Sequence, residues 1–138
     1  MNATAFAFAG YITWFLVLLG GIAVYRSALT VSGKREANSF KPHGEDVSDF
    51  SGRLCRAHAN CYESFPIVGG LLILALVTNS TEITNSLALI VLACRVAQST
   101  IHLFSTSAVA VQARFAFFLA QYVICFYWSI QFLTQFSA

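Results

Sequence analysis

The sequence predicts an all-α membrane protein, a single domain spanning 1–138 in which four transmembrane helices form an up-down bundle. Three observations predict it. Of its 138 residues 57% are hydrophobic and only 10% charged, with a mean hydropathy of +0.68, where soluble domains carry about 25% charged residues. Four apolar runs cover about 5–30, 52–77, 83–104 and 109–136. Each is near or above the roughly 20 residues that cross the hydrocarbon, and long continuous runs satisfy their backbone in lipid only as helices. Finally, the joints after the second and third runs are short: Thr78 to Thr84, and Ser105-Thr106-Ser107. Short joints make antiparallel neighbours.

The first run ends in Tyr25-Arg26. No Lys or Arg precedes Arg26, so the run lacks the positive leader of a signal peptide and is expected to be a retained span. The segment 31–51 is the one long polar connection. It holds Lys34, Arg35, Glu36, Lys41, Glu45, Asp46 and Asp49, with Gly33, Pro42 and Gly44 as helix breakers.

The second run opens on Arg53 to Pro66, RLCRAHANCYESFP. At about 100° per residue Arg53, Arg56, Asn60 and Glu63 share one helical face. A buried carboxylate without a partner is strongly disfavoured, so Glu63 needs a cation, and Arg56 on the same face is expected to supply it. His58 points to nearly the opposite face and is read as structural. The third run repeats the spacing with Arg95, Gln98, His102 and Ser105. Arg95 falls well inside the bilayer, where a cation must face protein. The fourth run begins with Gln112 and Arg114 and carries the stripe Arg114, Gln121, Cys125, Trp128. Its aromatics Phe117, Phe118, Tyr122, Phe126 and Tyr127 are expected to pack or to face lipid.

The ends of these runs bring Arg26, Arg56, Asn60, Glu63, His102 and Arg114 toward one membrane face. That convergence describes a cationic pocket with one carboxylate. Glutathione, with two carboxylates, an ammonium and a thiol, matches it. A net charge of +2, with no basic run interleaved with aromatics, excludes nucleic acid as a partner. The four cysteines, Cys55, Cys61, Cys94 and Cys125, form no C-x-x-C pair. They are expected to be buried small apolar residues, in neither a disulfide framework nor a metal site.

The stretch Arg56-Ala57-His58-Ala59-Asn60 with Glu63 and Pro66 resembles the signature of the membrane-associated proteins in eicosanoid and glutathione metabolism. That family includes microsomal glutathione transferases, leukotriene and prostaglandin E synthases, and a non-catalytic lipoxygenase-activating member. The resemblance covers essentially the whole chain: its size, four spans, the long first loop that holds every lysine, the R-x-x-x-N-x-x-E motif opening helix two, and an arginine opening helix four. It is closest to the bacterial branch. The resemblance implies a homotrimer in the bacterial inner membrane, with glutathione as co-substrate bound between subunits at the cytoplasmic side. It also implies a lipophilic substrate arriving from the surrounding membrane lipids, and no metal.

Carried over residue by residue, Arg56, Asn60 and Glu63 match the glutathione-binding positions of helix two. Arg26 matches the basic residue ending helix one. Arg114 matches the arginine that stabilises the glutathione thiolate in catalytic members. Gln98 and His102 stand where those members often carry tyrosine, and are placed with the ligand-binding set. An extra arginine of the prostaglandin branch is unmatched, position 59 being Ala59. The activity implied is a glutathione transferase or peroxidase. The alternative is a non-catalytic member that binds a lipid or a partner protein.

Every lysine lies in the first loop, and in an up-down layout Arg26, Arg53 and Arg114 lie near the same face. The positive-inside rule places that face in the cytoplasm and both termini outside. Cysteine labelling or a reporter fused after Ala138 is expected to find the C-terminus non-cytoplasmic. A cytoplasmic signal there overturns the orientation.

Overall fold

A computed structural model describes the whole chain, Met1–Ala138. It contains four helices and no strand: α1 Ala3–Val31, α2 Asp49–Val77, α3 Asn85–Phe104 and α4 Ala108–Ser137. All four are long and apolar enough to cross a membrane. The protein is therefore an all-α, four-span integral membrane protein, as the apolar runs predict.

The helix ends are set by local chemistry. Asn2, Ser48 and Ser107 cap α1, α2 and α4 by accepting from the amides of Ala5, Ser51 and Ala110, which satisfies donors that have no partner inside the helix. α1 stops in a Schellman motif: the Gly33 and Lys34 amides donate to the Thr30 and Leu29 carbonyls at 3.0 and 2.9 Å. Gly33 carries the positive φ of 71° that this motif requires. α2 stops the same way. Asn79 at φ 54° takes the left-handed position, and the Ser80 amide reaches the Ala75 carbonyl at 2.9 Å. Pro66 lies inside α2, where its ring removes one amide donor without ending the helix.

α2 and α3 form the middle of the molecule and each touches all the other helices, whereas α1 and α4 do not meet. The short joints thus give antiparallel neighbours but not a closed ring of four. At the end away from the long loop, Thr4 Oγ1 lies 2.7 Å from Thr84 Oγ1 and donates to Asn85 Oδ1 at 2.9 Å, tying α1 to the start of α3. Gln135 Nε2 donates to Ser80 Oγ at 2.9 Å, tying α4 to the α2–α3 turn.

The interior is small and mixed. Tyr11, Leu18, Leu72, Val91, Trp128 and Phe132 form its apolar part, and Arg95, Gln98, Ser99, His102 and Gln121 are buried among them. The polar stripe of α3 faces inward, except that Ser105 lies beyond the last turn of the helix; of the α4 stripe Gln121, Cys125 and Trp128 are buried and Arg114 is half-buried. Phe118, Tyr122, Phe126 and Tyr127 face outward, as do many other large apolar side chains. That inversion suits a solvent of hydrocarbon tails, in which apolar contact adds little to helix association and interhelical hydrogen bonds add about 0.6–2 kcal/mol each. Cys55, Cys61 and Cys125 are buried and no cysteine is in a disulfide. His58 stacks on Phe15, ring centroids 4.8 Å apart, in keeping with its structural reading.

The long loop folds back on the ends of α1 and α2. Arg35 clips it by bonding Asp46 Oδ2 at 2.7 Å and the Asp46 and Ser39 carbonyls at 2.8 Å. Phe40 lies under the guanidinium groups of Arg26 and Arg35, at 5.4 and 5.2 Å. Gly44, at φ 72°, packs so closely on α2 that a Cβ there meets the Ser51 carbonyl at 2.8 Å and the Cys55 sulfur at 2.7 Å.

Gly44→Ala is expected to lower stability by about 1–3 kcal/mol through the left-handed backbone and the clash, measured by chemical denaturation in detergent. Gly20→Ala, whose Cβ meets nothing within 4 Å, is the control and is expected to leave stability unchanged or slightly raised. The Asp46 carboxyl is pushed up by desolvation, but the Arg35 guanidinium and the Lys41 amide outweigh this and hold it below its ordinary value. Because the folded value lies below the unfolded one, its contribution is complete above about pH 4 and disappears as pH falls through the folded value. Amide protection in residues 35–46, relative to the intrinsic exchange rate at each pH, is expected to hold down to about pH 4 and to fall below it. Asp46→Asn is expected to speed that exchange at neutral pH.

Candidate functional site

The loop end of the bundle gathers the C-termini of α1 and α3 and the N-termini of α2 and α4. Between α2, α3 and α4 lies an open cavity of about 520 Å³, lined by Arg53, Arg56, His102 and Arg114 together with Glu45 and Asp49. Three guanidinium groups against two carboxylates leave it net cationic. Positive charge is concentrated here by helix ends: Arg53 and Arg56 lie in the first two turns of α2, and Arg114 lies in the second turn of α4.

Each cation is held differently. Arg53 Nε donates to the Leu103 carbonyl at 2.9 Å, so its charge sits at the C-terminus of α3, where the helix dipole favours it. Its role is thus partly structural, as a strap between α2 and α3. Arg56 pairs with Glu45 at 3.2 Å, and both side chains are about two-thirds exposed, 68% and 67%. A pair so exposed is worth about 0–1 kcal/mol, and an anionic ligand can replace it at little cost. Arg114 Nη1 lies 2.6 Å from His102 Nδ1. A guanidinium can only donate, so His102 Nδ1 accepts and the ring proton is on Nε2. The imidazole is therefore neutral in this arrangement, and His102 lines the cavity as a donor.

The other expected site residues are distributed around this cavity. Asn60 lies one turn beyond Arg56 and is half-buried. Its Oδ1 accepts from Arg95 Nη1 at 2.5 Å. Arg95 is only 1% exposed and its guanidinium lies 5.7 Å from the centroid of the Tyr11 ring. The deep arginine thus finds its partners inside the subunit, a side-chain carbonyl and an aromatic face. Gln98 is buried and accepts at Oε1 from Gln121 Nε2 at 3.0 Å, bridging α3 to α4. Arg26 does not line the main cavity. It donates to the Lys41 carbonyl at 2.9 Å and borders a separate hollow of about 440 Å³ with Thr30 and Phe40.

Glu63 departs from the expected arrangement. It is exposed on α2 and makes no ion pair. Arg56 turns instead to Glu45, because seven residues along a helix separate Arg56 and Glu63 by about 10 Å while the loop folds Glu45 directly against Arg56. The sequence reading did not single out Glu45 and Asp49. Asp49, Arg53 and Arg56 follow i, i+4, i+7, and that spacing carried the signal for Asp49. Nothing local marked Glu45, whose place depends on the fold of the loop.

These features define a four-span integral membrane protein with an open, cationic, ligand-sized hollow at one membrane face. The chain belongs to the MAPEG family, whose sequence profile matches residues 4–134. It is accordingly a membrane protein of eicosanoid and glutathione metabolism. No curated protein and no solved structure matches it.

Proposed function

We propose that the protein is a glutathione transferase of the inner membrane, with peroxidase activity on lipid hydroperoxides, and that it works as a homotrimer with its long loop in the cytoplasm. The observation that carries the reading is the cavity where Arg53, Arg56, His102 and Arg114 converge, within a family that uses glutathione. Arg56 and Arg114 provide donors for carboxylate and thiolate, and charge-assisted bonds of this kind are about twice as strong as neutral ones. Glu63 provides the carboxylate for the ligand ammonium. It stands without a partner on the outer side of α2, halfway along the helix, and a carboxylate at that depth calls for protein or ligand to meet it. A site between adjacent subunits supplies both. Arg26, Asn60, Gln98 and His102 complete the ligand-binding set.

In the reaction the glutathione thiol loses its proton to solvent and the thiolate attacks an electrophilic carbon. A carbon–sulfur bond forms and the leaving group departs with its electron pair. A free thiol has a pKa of about 8.5, so the step at neutral pH calls for a lowered value. A shift of two units requires about 2.7 kcal/mol of differential stabilisation, within the range of a desolvated guanidinium–thiolate contact. Arg114 is the group assigned to it. No metal enters the scheme. The electrophile reaches the site from the bilayer, along the apolar outer faces of the helices.

A second reading, a non-catalytic lipid- or partner-binding member, is favoured by the Arg114–His102 bond. That bond occupies part of the guanidinium, and it arises because histidine stands where catalytic relatives often have tyrosine.

Arg114→Ala is expected to lower turnover by more than it weakens glutathione binding, because the contact strengthens as charge localises on sulfur. Its activity is expected to rise only near the free-thiol value of about 8.5, and Arg114→Lys is expected to recover part of the loss. The measurements are steady-state rates across pH and the thiolate absorbance difference on adding glutathione. Wild-type protein that binds glutathione without generating thiolate establishes the non-catalytic reading instead.

A further inference from the structure

We infer that Arg95 is a positioning residue: by holding Asn60 Oδ1 it fixes the side-chain amide so that Asn60 meets a ligand only through its Nδ2 donors. The inference rests on the glutathione reading above and assigns a polarity to one contact within that site. An asparagine amide can turn either its oxygen or its nitrogen toward a ligand, and the two choices recognise opposite chemistry. The oxygen would accept from the ligand ammonium. The nitrogen would donate to a carboxylate or thiolate.

Here the choice is made by the neighbour. The Arg95 guanidinium has donors and no acceptor, so the Asn60 atom 2.5 Å from Nη1 has to be the carbonyl oxygen. Arg95 is itself fixed. It is 1% exposed in the middle of α3, has the Tyr11 ring beneath it at 5.7 Å, and is paired with no carboxylate. The Tyr11 ring is in turn held by its hydroxyl, 2.6 Å from Ser64 Oγ on α2. The support therefore runs from α1 through α3 to α2, with Tyr11 and Arg95 fully buried and Ser64 and Asn60 half-buried at its ends.

Asn60 Nδ2 makes no bond within the chain, and Asn60 is half-buried one turn from the exposed Arg56, on the face expected to meet the ligand. With Oδ1 committed, Asn60 adds to the donors of Arg56 and recognises an anionic group. The ligand ammonium is left to Glu63. Arg95 acts on the ligand through Asn60 without touching it.

Calorimetric titration of detergent-purified protein with glutathione tests this. Asn60→Asp keeps an oxygen for Arg95 and removes the donor. It is expected to melt at or above the wild-type temperature while losing tenfold or more in affinity. An Asn60→Asp protein that binds glutathione as wild type does overturns the inference. A double-mutant cycle tests the route of action. Arg95→Met is expected to weaken binding about tenfold in the wild-type background and less than twofold in the Asn60→Ala background. Equal losses in both backgrounds mark Arg95 as a general structural residue and overturn its positioning role. Where Arg95→Met fails to fold, Arg95→Lys takes its place in the same cycle, since it keeps the charge and loses the planar fork. Wild-type protein that binds no glutathione defeats the functional reading itself, a result distinct from binding that is indifferent to Asn60 and Arg95.

Discussion

A guanidinium at bilayer depth has to be satisfied by protein, and the burial of Arg95 organises much of this molecule. The cation sits midway along α3 and takes a carbonyl oxygen from α2 and an aromatic face from α1. Neither partner carries a negative charge. A cation–π contact and a hydrogen bond to an amide replace the ion pair that a soluble core would more often provide, and no carboxylate is buried beside the cation. The contact also accounts for the position of α3, which has to lie against both α1 and α2 for one side chain to reach both. α4 then packs on α2 and α3, away from α1, and is joined to α3 by the Gln98–Gln121 bond at one depth and by His102–Arg114 at another.

The same economy of polar groups shapes the loop end. Helix termini leave unpaired amides and carbonyls, and arginines provide for several of them. Arg53 satisfies a carbonyl at the end of α3, and Arg26 satisfies one in the folded loop. Arg53 builds part of the wall of the site and simultaneously closes the bundle. What remains free for a guest is correspondingly limited: Arg56, whose exposed pair with Glu45 is weak; the remainder of Arg114; and the donor side of Asn60. Cations presented in this way offer hydrogen-bond donors to an anionic guest at one end of the bundle.

Much of the fold was legible because lipid is an unforgiving solvent. The four runs, their antiparallel order and the protein-facing stripe of α3 follow from hydropathy and a period of 3.6 residues alone. Arg95, Gln98 and His102 could be assigned to one protein-facing stripe from their spacing, and Gln121, Cys125 and Trp128 could be grouped on one stripe of α4, whose burial the packing decides. The site was legible in outline for the same reason: charges cluster at the ends of spans, and an up-down layout brings alternate ends together. The pairing within the site was less so. Arg56 and Glu63 share a helical face, yet Arg56 pairs with Glu45, which a left-handed glycine and the Arg35–Asp46 clip bring onto α2 from the loop.

The sequence by itself determined that this protein spans a membrane four times, which face of α3 turns inward, and which end carries the cations. Each of these depends on one helix at a time and on the cost of exposing polar groups to hydrocarbon. The tertiary structure alone decided which groups meet: Arg95 with Asn60 and Tyr11, His102 with Arg114, Arg56 with Glu45, and α1 apart from α4. Those choices depend on distances of a few ångströms between side chains from different helices and a folded loop, and the periodicity of a single helix carries no record of them.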